Sequence, residues 1–438
     1  MTQPPNPALP ENSGPPEHPG VTDDALPAPQ FEEDALTLLV AAVHAAVRLE
    51  NPRTGTEHLV SELVMGDTAA GEAVTPGMRK AGELGGTVKG IALAGEDRHW
   101  VSRDAGPGPL ETHPDDETEA EATWREIAWR AVGEAGRGLS LDEDTPPPGP
   151  TGALLACLRH ALGLARAERT ESVRCRHLAR ALVELPGSRA REAMTLSQVD
   201  LDAARTALDA LDAREADAAG GPDFPVPRAV AGLRNSGTLE GGKGRIARAV
   251  YSWMFRMGPD NNAVLLMVRA EAVRHAVRRG QAAVEPADLL LAILSLDRAM
   301  TVVGQSFPED IAGVNSAAEL LRAHGAGPAA LHRATAGTDT APVPGVPATD
   351  FPLSPAADRV MARTRLLAAE RSAATTGTLH VLAALLDASD AAEAGAATDP
   401  EAGPAAGEAA PDRVADLLRT VGVDIEALRA ASAPDTAA

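Results

Sequence analysis

The sequence predicts an all-α chain. Four segments share one pattern, an amphipathic helix, a short break and a second helix. Alanine dominates the 44% apolar fraction, which favours helices. Four tryptophans, one tyrosine and five phenylalanines in 438 residues are too few for sheets built on aromatic pairs.

Residues 1–30 are rich in proline and short polar side chains and read as a disordered tail, as do residues 433–438. The first patterned segment places Leu36, Leu39, Val43 and Val47 on one helical face. A break at Asn51, Pro52 and Gly55 follows, and a second helix opens at Thr56-Glu57-His58-Leu59. The second segment has Leu155, Leu158, Leu162 and Ala165, then Cys175-Arg176-His177-Leu178. The third has Leu265, Val268, Ala272 and Ala276, then Pro286-Ala287-Asp288-Leu289. The fourth has Ala357, Val360, Thr364 and Leu367, then Thr378-Leu379-His380-Val381. Segments two to four close with a further amphipathic piece: 199–208, 320–331 and 414–428. The first lacks a clear closing phrase, and a helix over 119–137, with Trp124, Ile127, Trp129 and Val132, is expected to replace it. Stretches 102–122, 139–150, 334–350 and 389–411 read as linkers, being acidic or rich in Pro, Gly and Thr.

Local chemistry fits paired helices. Thr56 and Thr378 follow glycines and are expected to cap their helices. Pro286 suits a first helical turn, and Gly422 can end one helix in the left-handed conformation before the next begins. Each unit has an apolar face it cannot bury alone, so the units must pair, giving two double-unit modules.

The helix–break–Gly-Thr-(Glu)-His-Leu motif and the closing phrase 417–428 resemble the Clp N-terminal repeat. That family forms the substrate- and adaptor-binding domain at the front of Clp-type unfoldases. The resemblance covers roughly 31–66, 151–212, 261–335 and 353–432. It implies four Clp-N-like repeats in two pseudo-twofold modules, 31–212 (repeats 31–100 and 151–212, insertion 101–150) and 261–432 (repeats 261–335 and 353–432). Residues 213–260 read as a linker carrying a basic aromatic helix. The resemblance further implies protein or peptide partners, among them a Clp unfoldase, its adaptors or its substrates, and no cofactor. Glu57 matches the family glutamate that grips the guanidinium of phosphorylated arginine, through charge-assisted hydrogen bonding. Arg176, Ala287 and Leu379 stand at the corresponding positions and depart from it. The bland alternative for Glu57 is a solvated glutamate favoured by the helix dipole.

Other chemistry is sparse. A net charge of −22 makes nucleic acid a poor partner. No apolar run reaches the roughly 18 residues of a membrane span, no signal peptide is visible, and a cytoplasmic setting is expected. The string Gly237 to Gly244 approaches a phosphate-binding loop, but Gly244 stands where a hydroxyl is needed. The chain therefore reads as N-domains without a motor. Cys157 and Cys175 are too few for a disulfide framework; Cys175, at a helix start, is the more reactive candidate, set against the bland reading of a small core residue. His58, His177 and His380 recur without metal-ligand spacing and read as structural. The basic island 228–257 offers Arg245, Arg248 and Trp253 either as a partner surface or as a helix docking one module on the other.

Overall fold

A computed structural model describes residues 29–93, 100–106, 113–135, 146–217, 224–240, 262–335, 351–398 and 414–432. Within them the chain is helical, with nineteen α-helices and four two-residue strands. None of these helices is long and apolar enough to cross a membrane.

Two apolar cores organise the molecule. The first takes its buried side chains from Phe31 to Leu211, the second from Ala229 to Leu428. Around the first lie β1 (Gln30–Phe31), α1 (Glu33–Arg48), β2 (Arg53–Thr54), α2 (Thr56–Met65), α3 (Ala69–Val74) and α4 (Met78–Leu93). They are followed by α5 (Pro114–Ala135), β3 (Gly149–Pro150), α6 (Gly152–Ala167), β4 (Ser172–Val173), α7 (Cys175–Glu184), α8 (Arg189–Leu196) and α9 (Leu201–Asp217). Around the second lie α10 (Arg228–Ser236), α11 (Ala263–Arg278), α12 (Pro286–Val302), α13 (Glu309–Ala312) and a 3₁₀ turn at Gly313–Asn315. Next come α14 (Ala317–Ala323), α15 (Pro328–Thr335), α16 (Pro355–Glu370), α17 (Thr378–Thr398), α18 (Val414–Thr420) and α19 (Ile425–Ser432).

The predicted faces point inward. Leu36, Leu39, Val43, Leu158, Leu162, Leu265, Val268, Ala272, Ala276, Ala357, Val360, Thr364 and Leu367 are all buried, while Val47 and Leu155 are half-buried. Each leucine taken fully out of water contributes about 2 kcal/mol, so these faces drive the pairing.

The pairing is reciprocal. β1, which precedes α1, lies parallel to β4, which lies between α6 and α7. β2, between α1 and α2, lies parallel to β3, which precedes α6. The helices exchange in the same way: α3 packs on α7 and α9, and α8 packs on α2 and α4. Around the second core α14 packs on α17 and α19, and α18 packs on α12 and α15. There Val284, between α11 and α12, bridges in parallel to Leu353, which precedes α16.

Several local expectations change. The closing helix of the first segment is α4, not 119–137. Ala81, Leu84 and Val88 of α4 are buried in the first core, and α4 packs on α2 as α9 packs on α7. The expected helix does form, as α5, but it bridges the cores: Ile127 is buried in the first, and Trp129 packs against the second. Residues within all four expected linkers are built in, Ala334 and Thr335 of the third as the end of α15. Asp104 is 1% exposed, Gly149 and Pro150 form β3, and α17 runs on to Thr398. Pro29 and Gln30 of the expected tail are described, and Gln30 sits in β1. Gly422 (φ 84°) ends α18 as expected, and Pro286 opens α12.

Candidate functional site

The four second helices start alike. At α2, α7 and α17 the backbone N–H just before the helix donates to a histidine Nδ1. Gly55 N to His58 is 3.0 Å, Arg174 N to His177 is 2.9 Å and Gly377 N to His380 is 3.1 Å. At α12 a carboxylate takes the same place, with Glu285 N donating to Asp288 Oδ2 at 2.8 Å. The recurring histidines are thus caps, and Thr56 and Thr378 stand one position inside rather than capping. A ring nitrogen that accepts this bond carries no proton, which suits His58 and His380. Burial holds His58 down at about 4 and lowers His380, where Arg371 adds to the effect. Burial likewise lifts Asp288 to about 6, against the pull of Arg279.

At the first core the motif meets a polar network that the sequence did not reveal. Asp104 Oδ1 accepts from the Thr56 hydroxyl at 2.6 Å and from Arg189 N at 2.9 Å. Its Oδ2 accepts from Thr56 N at 3.0 Å and from the Thr151 hydroxyl at 2.6 Å. One carboxylate thereby ties the starts of α2, α6 and α8. Close approach lets it in: a Cβ at Gly152 would lie 2.1 Å from Ala105 O. The Thr56 hydroxyl also accepts from Ala190 N at 3.0 Å.

Glu57 points into this network and is fully buried, not solvated. Its Oε1 accepts from Arg189 Nη1 at 3.1 Å, and Arg189 also lies over the Trp100 ring. Its Oε2 is buried without a hydrogen-bond partner. The side chain folds over Gly55, where a Cβ would meet Oε2 at 2.1 Å. Burial and the neighbouring Asp104 raise Glu57 to about 7, although Arg189 pulls it down. The carboxylate read as a grip for a foreign guanidinium thus already holds one from its own chain.

The corresponding positions differ. Arg176 on α7 is buried and reaches Glu168 Oε2 at 2.5 Å, Asp212 Oδ1 at 2.6 Å and Glu215 Oε2 at 3.1 Å. Ala287 on α12 is buried and Leu379 on α17 is half-buried. The structure therefore does not bring these four side chains together as one repeated site.

Neither cysteine is poised as a nucleophile. Burial pushes both thiols up, Cys157 with help from Asp104 and Cys175 with help from Asp34. Both sit in the first apolar core as small core residues, and the helix start at Cys175 does not lower its thiol. Gly237 (φ 84°) ends α10 in the left-handed conformation, which accounts for that glycine of the loop-like string. Arg245, Arg248 and Trp253 lie outside the described residues. Among the described residues no group of three His, Cys, Asp or Glu is placed to hold a metal ion. Scans against family models, curated proteins and solved structures returned no match.

Proposed function

We propose that the chain is a non-catalytic binding protein made of four Clp-N-like repeats, paired as two pseudo-twofold modules. In this reading it binds peptides, adaptors or substrates and modulates Clp-dependent proteolysis. What supports it is the reciprocal pairing of β1 with β4 and β2 with β3, together with the shared cap at α2, α7, α12 and α17. In this reading the peptide lies between the paired units. Such a binder acts by mass action, competing for adaptors or sequestering substrates.

Affinity purification of the tagged chain tests the reading. Enrichment of an unfoldase, its adaptors or its substrates is expected, and a catch without any of them contradicts it. For phosphoarginine the demand is steeper, because a ligand must displace Arg189 from Glu57. Calorimetry with the free compound should give heat that vanishes in Glu57→Ala. No heat, or heat that survives the substitution, removes this ligand.

A second reading is a scaffolding helical-repeat protein with no Clp connection. The internal Glu57–Arg189 pair and the departures at Arg176, Ala287 and Leu379 favour it. Other protein partners in the same purification would select it.

A further inference from the structure

Between the two cores runs a seam of ion pairs, whose cross-seam pairs are acidic on the first side and basic on the second, while Arg130 on the first side and Glu271 on the second join it from their own sides. The first side supplies Glu32, Glu33, Glu119 and Glu126; the second supplies Arg228, Arg274, Arg278 and Arg298. Glu126, on α5, is fully buried. Its Oε1 meets Arg130 Nη2 at 2.6 Å and Arg274 Nε at 3.1 Å, and its Oε2 meets Arg278 Nη1 at 2.9 Å. Arg278 continues to Glu119 at 2.5 Å. Glu33 receives Arg130 at 2.9 Å and Arg228 at 2.6 Å. Burial alone would raise the Glu126 carboxyl, but the three arginines outweigh it and hold it low.

Arg298 on α12 has a second role. Its Nη2 meets Glu32 Oε1 at 2.7 Å, just past β1, and donates to Glu171 O at 2.8 Å, just before β4. The same atom lies 3.3 Å from the Ser172 hydroxyl. One guanidinium from the second core therefore spans both strands that join the halves of the first.

We propose that this seam is a reversible latch, and that docking of the second core tightens the β1–β4 pairing of the first through Arg298. Buried ion pairs roughly break even against solvated ones, so they fix register without adding much net attraction. Interfaces inside one chain move by default unless they are large and apolar. Here the apolar bridge is α5, with Trp129 on the second core and Ile127 in the first. Losing one member leaves buried charges uncompensated, so the seam closes or opens as a whole.

Distance measurement between labels tests the latch. Met78 and Leu366 are exposed and lie on opposite cores, while both native cysteines are buried, so Met78→Cys and Leu366→Cys can be labelled selectively. Spin–spin distances in the otherwise native chain should form one narrow distribution. Glu126→Lys should add a longer, broader population, with helix content by circular dichroism unchanged. Should Glu126→Lys fail to fold, Arg298→Ala decides, since it removes a partner at the edge of the seam whose side chain is 18% exposed, against a fully buried Glu126. Arg298→Ala should also speed hydrogen exchange of the Gln30 and Glu32 amides, which donate to Glu171 O and Val173 O, by roughly tenfold. A distribution that stays narrow in the folded variants overturns the latch, and unchanged exchange at those two amides overturns the coupling.

Discussion

The starts of α2 and α7 around the first core, and of α12 and α17 around the second, solve one packing problem with different chemistry. Around the first core the position after the opening residue carries Glu57 and Arg176, both buried and ion-paired. Around the second it carries Ala287 and Leu379. Both cores nevertheless pair their helices in the same exchange. The apolar faces and the shared cap therefore suffice for pairing, and the buried charges of the first core are an addition to it. Burying charge gives little net stability even when the pairing is good. The first core is thus where a specific role for these side chains is to be sought.

The largest expected difference lies in the residues that close each junction. Asp104→Ala strips four donors of their partner and should lower the stability of the first core by about 3 kcal/mol. Asn315 holds the matching place around the second core: its Oδ1 accepts from Thr378 N at 3.1 Å and its Nδ2 donates to Ile311 O at 2.9 Å. Asn315→Ala should cost about 1 kcal/mol. Urea unfolding followed by a probe on each core would read both, and equal costs would break the comparison.

The next effect is a pH dependence. Glu57 sits at about 7 in the fold against an ordinary 4.5, so it stabilises when protonated. Its contribution is complete below pH 4.5 and is lost as pH rises through 7. The stability advantage of the native chain over Glu57→Gln should therefore shrink by about 2 to 3 kcal/mol between pH 5 and 8. Thermal melts across that range would show it, and a constant difference would contradict the burial of this carboxylate. His58 runs the other way: held at about 4 against 6.5, it stabilises above pH 6.5 and that contribution is lost as pH falls toward 4. The Glu57→Gln comparison cancels it.

The smallest effect should be the same on both sides. His58→Ala removes a cap acceptor together with the Asn51 Nδ2 contact at 3.0 Å, Asp288→Ala removes one together with the Arg279 pair at 2.9 Å, and each should cost about 2 kcal/mol near neutral pH. A cap that mattered at only one core would show that the two do not share the device.

The sequence carried the helices better than the junctions. Leu265, Val268, Ala272 and Ala276 recur at helical spacing and are all buried, because a 3.6-residue period is written in consecutive positions. The α4 pattern was also present, in Ala81, Leu84 and Val88, but Gly82, Gly85, Gly86 and Gly90 diluted it. Asp104 left no signal. It stands in a polar stretch 48 positions from Thr56, and only the fold brings its four donors to it. Glu126 likewise reads as a surface glutamate on a polar helix until Arg274 and Arg278 arrive from about 150 residues away. Glu57 was legible as a partner for a guanidinium, but not that Arg189 would supply it.

The most direct measurement is the degradation rate of a tagged substrate by a reconstituted Clp unfoldase and its protease, with the purified chain titrated in. The account predicts a saturable change in rate that depends on the adaptor or the substrate. A rate that stays flat across the titration, with the chain failing to bind unfoldase, adaptor and substrate alike, would contradict it.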